Sequence, residues 1–481
     1  MYDFDYTREG IQYGIRSPNK PGRGMAGEKR MNRSVPFLVL VAFLVFLTSS
    51  FDIFLTINLG PNIRISQLFV LALFAAALVS HRMGLTLLIP LGGQYLLAWW
   101  CVQLAFVPVV EFWQKSLAYA VWLGLDIALV FAMVNLFATG RNQIEKFLKL
   151  YLVSYVLIAW FGIVQFVLPI IGGPSLLVQQ WWLLGRVPRA NGFSYEPSYY
   201  ATYLIMGVCT LGSLRRSGVG GFRSKRWAFG YFAIIFAIVA SSSRMGIIFL
   251  LLELAILPLR WLRRVIRTPR LILALPVLGR RTILAVAFLL CACIALPGIV
   301  RWSLDNLQTI EIFANGTGLM GTSSYSIDER GDHLTDTLRT ISDHPWIGRS
   351  LGGITESIAR YRGAKPNTFD EAKDYEGQSV FAEVIAASGI PGSIPFFCFV
   401  VITIFAPLRL ANRSTPLQAA WLRALVYGLV IEWGILQLNQ NILRLYLWVH
   451  IAALATLFSY VKCQQHNRGE QAGTSTGWAL S

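Results

Sequence analysis

LAYAVWLGLDIALVFAMVNLF at 117–137 is followed by ATGRNQIEK at 138–146, and a second apolar run starts at Phe147. A transmembrane helix needs about 20 mostly apolar residues. The first run meets that length with Asp126 as its one charge, and the break after it carries Arg141, Lys146 and Lys149. Two apolar runs around a basic turn read as a helical hairpin through a membrane. The turn is expected on the cytoplasmic side, because lysine and arginine collect there.

The pattern extends along the chain. Further runs begin near Pro36, Ile65, Met83, Tyr199, Trp227, Met245, Thr282, Ser379, Leu417 and Asn441, giving twelve with those at Leu117 and Phe147. The N-terminal tail (Lys20, Arg23, Lys29, Arg30, Arg33) and the even-numbered gaps carry the cations, Arg215, Arg216, Arg223, Lys225, Arg226 and 260–281 most densely. The expected fold is an all-α polytopic integral membrane protein of about twelve transmembrane helices, both termini cytoplasmic. Composition agrees: the 481 residues are 55% hydrophobic and 14% charged. Soluble domains carry about 25% charge. This excludes a disordered chain, a disulfide-rich module and an ordinary cytosolic enzyme. The net charge of +17 belongs to the loops that set topology and does not imply nucleic acid. The six cysteines lie in or beside apolar runs, where small packing residues are expected, without zinc spacing.

Two outside segments exceed a simple turn, about 172–198 and 301–378. The second holds twelve acids against eight bases, opposite in sign to the rest of the chain. Long loops are either functional or disordered. Its aromatic residues and helix-like stretches near 328–342 and 353–362 predict a folded, functional loop.

Three constellations carry candidate chemistry. In GRVPRANGFSYEPSYYA (185–201), Pro197 suits a first helical turn and places Glu196 at the helix start, where the dipole favours a carboxylate. Such a group can take a proton from a hydroxyl within reach. Arg186 and Arg189 are candidates for holding an anion beside it. The alternative is a helix cap with two arginines reaching to headgroups. In SSSRMG (241–246), Arg244 lies between two apolar runs. An arginine so placed is a functional candidate, since guanidinium pairs with phosphate, or else caps a turn. In DERGDHLTDTLRTISDHPWIGRSLGG (328–353), a helix is expected to carry Arg330 and Arg339 and to stop near His344, before Pro345. Gly348, Gly352 and Gly353 are expected to form tight turns. His344 is a candidate base, with a structural histidine as the alternative. Asp126, Glu253 and Glu432 inside predicted helices belong either to an ion path or to buried pairs. No metal-ligand spacing and no cofactor motif is present.

GFSYEPSYYA (192–201), SSSRMG (241–246), the Arg330…ISDHPWIGRSLGG element ending at Gly353 and AASGIPG (386–392) together resemble the O-antigen polymerase and ligase superfamily, the Wzy-type polymerases and WaaL-type ligases. The resemblance implies a metal-independent, inverting membrane glycosyltransferase without cofactor, acting on a polyprenyl-diphosphate-linked glycan at the outer face of a bacterial inner membrane. It puts Arg244 and Arg330 on the family's recurrent arginines and His344 on its His-Pro element. WaaL-type ligases have a His-Asn pair where Gln378-Ser379 stand here, which favours a repeat-unit polymerase over a ligase. The expected organisation is a cytoplasmic tail at 1–34, helices one to nine at 35–300, a periplasmic loop at 301–378, helices ten to twelve at 379–461 and a cytoplasmic tail at 462–481. Expected catalytic residues are Glu196 and His344. Arg186, Arg189, Arg244, Arg330 and Arg339 are expected to bind the diphosphate and glycan. Expected partners are the lipid-linked oligosaccharide, membrane lipid and a chain-length regulator protein. A ligase, and more remotely a transporter or flippase, are the alternative readings. A transporter calls for two related halves, and the chain has no such symmetry.

Overall fold

The computed structural model describes residues 37–58, 62–82, 87–138, 141–182, 187–267, 327–364, 375, 377, 379–438 and 442–476. The predicted helix near Thr282, loop residues 301–326, Arg186, Gln378 and both terminal tails lie outside the described residues. Arg330 lies on a described helix, but its side chain is outside the described part.

The described chain is helical almost throughout. The helices are α1 (Phe37–Thr48), α2 (Ile65–Arg82), α3 (Gly93–Ala105), α4 (Trp113–Phe137), α5 (Arg141–Ile170), α6 (Pro197–Ser217), α7 (Lys225–Ala240), α8 (Arg244–Arg267), α9 (Ile327–Asp343), α10 (Ser350–Tyr361), α11 (Val380–Ala411), α12 (Pro416–Ile435) and α13 (Leu445–Thr476). Two short antiparallel ribbons interrupt them. β1 (Thr56–Asn58) pairs with β2 (Asn62–Arg64), and β3 (Trp181–Trp182) with β4 (Val187–Pro188).

The all-α membrane reading holds, but the count of twelve spans is not reproduced among the described residues. Four described helical stretches are long and apolar enough to cross a membrane: Trp113–Phe137, Gln143–Ile170, Val380–Ala411 and Leu445–Asn467. Phe37–Thr48, Ile65–His81 and Gly93–Val109 are apolar but shorter. α6 and α12 are less apolar than those four, for a physical reason. α6 is buried from Tyr200 to Gly212, and its Thr202, Thr210 and Tyr203 face protein, not lipid. α8 and α12 carry Glu253 and Glu432 in their buried faces. Exposed apolar stripes run along two helices, Phe229, Phe232, Phe236 and Val239 on α7 and Ile390, Ile394, Val401 and Phe405 on α11, surfaces suited to lipid. On a soluble protein such stripes would mark a binding or aggregation surface.

α6 lies at the centre, packed against α5, α7, α8 and α12, while α4 packs on α2, α3, α10 and α13. Local sequence sets the helix ends. α6 starts at Pro197 after an extended Glu196, and stops at Gly218, whose φ is 76°. α12 starts with a reciprocal Thr415–Gln418 capping box followed by Pro416. Serine 379 caps α11, accepting from the Ala382 N–H.

Hydrogen bonds identify which helix ends share one end of the bundle. Asp52 and Ile53, after α1, donate backbone N–H to Phe193 O, just before α6. Ala190 N–H bonds Ala240 O at the end of α7, and Val380 N–H bonds Leu436 O at the end of α12. The starts of α2, α6, α8, α11 and α13 thus meet the ends of α1, α5, α7 and α12 at what is termed here the upper end. The basic turns Lys146–Lys149, Arg215–Arg226 and Arg409–Arg413 lie at the opposite, lower end. There Glu253 accepts a hydrogen bond from Arg216 and another from Tyr427 OH at 2.6 Å. Its paired reading, not the ion path, therefore describes Glu253.

Candidate active site

The segment 187–196 is held by two amides that sequence reasoning did not single out. Gln165 on α5 accepts the N–H groups of Asn191 and Gly192, each at 2.8 Å, and donates to Leu176 O at 2.8 Å. Asn191 donates to Ser194 O at 2.8 Å and to Leu177 O at 3.1 Å. Both side chains are fully buried. A buried loop has to satisfy its backbone polar groups, and these amides do that. The signal for Gln165 was present in the sequence as a lone amide in an apolar run. Phe193 adds apolar packing, stacking on Phe161 with ring centroids 4.0 Å apart.

This scaffold brings the first two constellations together. Arg189 donates through Nε to Ser241 O at 3.2 Å, through Nη2 to Ser242 O at 3.2 Å and through Nη1 to Gln180 Oε1 at 2.6 Å. It therefore grips the turn between α7 and α8, and Arg244 is the first residue of α8. Ser242 in that turn has a φ of 51°, a left-handed conformation uncommon outside glycine. Burial lowers the Arg189 pKa to about 10; Glu196 opposes that fall and Arg244 adds to it. Arg189, Glu196 and Arg244 thus form one electrostatic group. Two guanidiniums that repel each other, at a helix N-terminus, favour an anion between them.

Glu196 occupies the predicted position at the start of α6, but its side chain does not cap the helix N–H groups. Its Oε2 accepts from Ser198 Oγ at 2.8 Å. Its other oxygen meets no donor among the described residues.

The third constellation folds as a second group. α9 ends at Asp343, and His344 N–H bonds Thr340 O at 3.0 Å, so Pro345 stops the helix as expected. The strand-like piece that follows docks on α11, with Arg349 N–H on Ala386 O at 2.9 Å and Ile390 N–H on Pro345 O at 2.8 Å. Gly389 breaks α11 there with φ 67° and ψ 169°. The glycine reading needs correction. Gly348, Gly352 and Gly353 are not turn glycines, and none has a positive φ. They allow close approach: a Cβ on Gly348 would overlap the Ala387 carbonyl, one on Gly352 would lie 2.6 Å from Ser116 Cα, and one on Gly353 would overlap Val110 Cγ1. The left-handed residue of this segment is Ser350, at φ 54°. Glu356 and buried Lys115 fix α10 to the start of α4: Glu356 accepts from Phe112 N–H at 2.5 Å, and Lys115 Nζ donates to Thr355 Oγ1 at 3.1 Å.

Around His344 stand Asp343, Arg349, Tyr361 and Arg339. Tyr361 OH donates to Asp343 Oδ2 at 2.5 Å, and the Arg339 guanidinium lies 4.4 Å from the Tyr361 ring centroid. Partial burial and the Arg349 charge lower the His344 pKa, and Asp343 works against them. The first two favour the neutral imidazole, the form that can accept a proton. Arg349 and Tyr361 are functional candidates that sequence reasoning did not select, although Arg349 stands inside a quoted motif. The two groups belong to the same end of the bundle through α12, which packs on both α6 and α11. Among the described residues, no three His, Cys, Asp or Glu side chains cluster to hold a metal.

Residues 229–397 match the family model Wzy_C, described as O-antigen ligase. This segment belongs to the O-antigen polymerase and ligase superfamily. No curated protein and no solved structure in the comparisons matches the chain. The O-antigen ligase segment contains Arg244, Arg330, Arg339 and His344 and takes in α7 to α10 with the kinked half of α11. Arg186, Arg189 and Glu196 precede it. The match covers 169 of the 481 residues, and it fits the membrane protein that the apolar helices indicate.

Proposed function

We propose that the protein is an inner-membrane glycosyltransferase that joins polyprenyl-diphosphate-linked glycan to a lipid-linked repeat unit, a polysaccharide polymerase. The observation that carries this reading is the convergence of Arg189, Arg244 and Glu196 at the end of the bundle opposite the basic turns. By the positive-inside rule the basic turns are cytoplasmic, so the site faces the periplasm. An acceptor hydroxyl attacks the anomeric carbon with inversion, and polyprenyl diphosphate leaves. Arg189 and Arg244 bind the departing diphosphate, a role fixed guanidiniums fill without a divalent ion. Glu196 takes the hydroxyl proton, and Arg330, Arg339 and the His344 group line the glycan path. Reporter fusions test the orientation. A fusion at Asn315 is expected to be active as a periplasmic reporter and one at Arg267 as a cytoplasmic one; the reverse pattern would remove the site from the periplasm.

The ligase reading has its own support in the description of the matching family. Against it stand Gln378-Ser379 in place of a ligase-type His-Asn pair, and the Glu-Pro-Ser element at 196–198. Deleting the gene is expected to leave single repeat units, on the carrier or on the final acceptor. Accumulation of long lipid-linked polymer would establish a ligase instead. Glu196→Gln is expected to reproduce the deletion. Normal-length polymer from that variant would pass the role of base to His344.

A further inference from the structure

Trp346 and Ile347, in the segment between α9 and α10, are 72% and 57% exposed. The backbone that carries them is held in place. Ile390 N–H bonds Pro345 O at 2.8 Å and Arg349 N–H bonds Ala386 O at 2.9 Å, so two bonds to α11 bracket the pair. A Cβ on Gly389 would lie 2.5 Å from Trp346 O, so the two backbones pass closely at the kink. This fixed backbone presents two large apolar side chains away from the protein. They stand where the exposed stripe of α11 begins. No residue from Val380 to Gly389 is exposed, whereas Ile390 and Ile394 are 51% and 57% exposed.

The helix rise sets the height of this spot. Arg409, in the last turn of α11, belongs to a basic turn at the lower end. Ile390 precedes it by nineteen residues, about 29 Å of helix at a rise of 1.5 Å per residue. A hydrocarbon core is about 30 Å thick. The stripe from Ile390 to Phe405 therefore fills the core, and Ile390 marks its boundary at the upper end. Trp346 and Ile347 meet α11 at that boundary, the depth at which tryptophan is enriched in membrane proteins. We infer that Trp346 and Ile347 rest in the membrane interface and anchor the His344 segment to the bilayer. The occupant of this surface is bilayer lipid, because the patch continues the stripe that α11 turns to the membrane. The consequence is positional. His344 and Arg349, on either side of the pair, are held just above the hydrocarbon, at the height of lipid phosphates. The contact requires only that α11 crosses the membrane. Which leaflet it meets follows from the orientation proposed above.

Photo-crosslinking of the full chain in vesicles of phosphatidylethanolamine and phosphatidylglycerol tests this. The probe p-benzoylphenylalanine is placed at position 346 and, in a second variant, at 347, so that either carries the test should the other fold poorly. Position 360 is the control, because Arg360 is an exposed residue of α10 ion-paired with Glu111. Mass spectrometry is expected to find phospholipid adducts at 346 and 347 and their loss at 360. Crosslinks within the chain or to a second copy in place of lipid, at both positions, would overturn the inference. Equal lipid adducts at 360 would do the same, since the pair would then mark no boundary. Addition of polyprenyl diphosphate separates the sources. Phospholipid adducts that persist unchanged support the bilayer, whereas adducts that form only with the added polyprenyl lipid assign the surface to the substrate's tail and overturn the inference. The fusions at Asn315 and Arg267 are read separately. A reversed pattern would move the contact to the other leaflet and leave the phospholipid adducts in place.

Discussion

Arg244→Ala is expected to lower glycan transfer about 10²- to 10³-fold while the protein remains in the membrane, the size of effect seen when one charge-stabilising donor is removed from an active site. Arg244 heads α8, where the helix dipole already favours an anion, and Arg189 stands beside it on the carbonyls of Ser241 and Ser242. Those bonds fix the turn, so the site is held before any ligand arrives. Arg244→Lys keeps the charge but loses the paired donors, and is expected to stay impaired by about tenfold or more. The readouts are polymer length on gels and membrane content by immunoblot. Near-normal polymer from both variants would leave Arg244 a turn-forming residue.

Gly348→Ala is expected to reduce activity by about 100-fold, the cost of displacing reacting groups by an ångström or so. A methyl group on Gly348 would occupy the place of the Ala387 carbonyl, where α11 kinks toward Gly389. The two backbones would have to separate. His344 and Arg349 would move with the segment, because the bonds Arg349 N–H to Ala386 O and Ile390 N–H to Pro345 O hold it there. Gly331→Ala is the control. Gly331 is exposed in α9 with open space around it, so alanine is expected to stabilise the helix by about 0.5–1 kcal/mol and leave transfer unchanged. Equal activity of the two variants would show that the contact at Gly348 does not position the loop.

Helix positions were legible from apolar runs and punctuation. Pro197, Ser379, Pro345 and the basic gaps each mark a boundary that the structure has within a few residues. The likeness to the superfamily was legible from four short motifs, three of which the matching segment contains whole. The pairings were not legible. Nothing in the spacing of Arg189 and Ser241 says that one grips the other, because that contact depends on how β4 packs beside the end of α7. Arg64 and Arg444 both pair with Asp52, which joins residues from both ends of the chain, and no local pattern reports such a meeting. The glycines near 350 were misread for a related reason. A sequence shows that a side chain is absent, but not whether its absence serves φ or a neighbour's backbone.

The way Arg189 is anchored bears on how such proteins can exchange parts. The family segment starts at residue 229, yet Arg189, Glu196 and their support Gln165 come before it, and α12, on which α6 rests, comes after residue 397. A chimera that transplants 229–397 from a relative would carry Arg244 and His344 across and leave Arg189 and Glu196 with the host. It would also set a foreign 241–242 turn under the host's Arg189. Recombination is therefore expected to succeed where the junction lies before Gln165, so that the arginine and the turn it holds are inherited together.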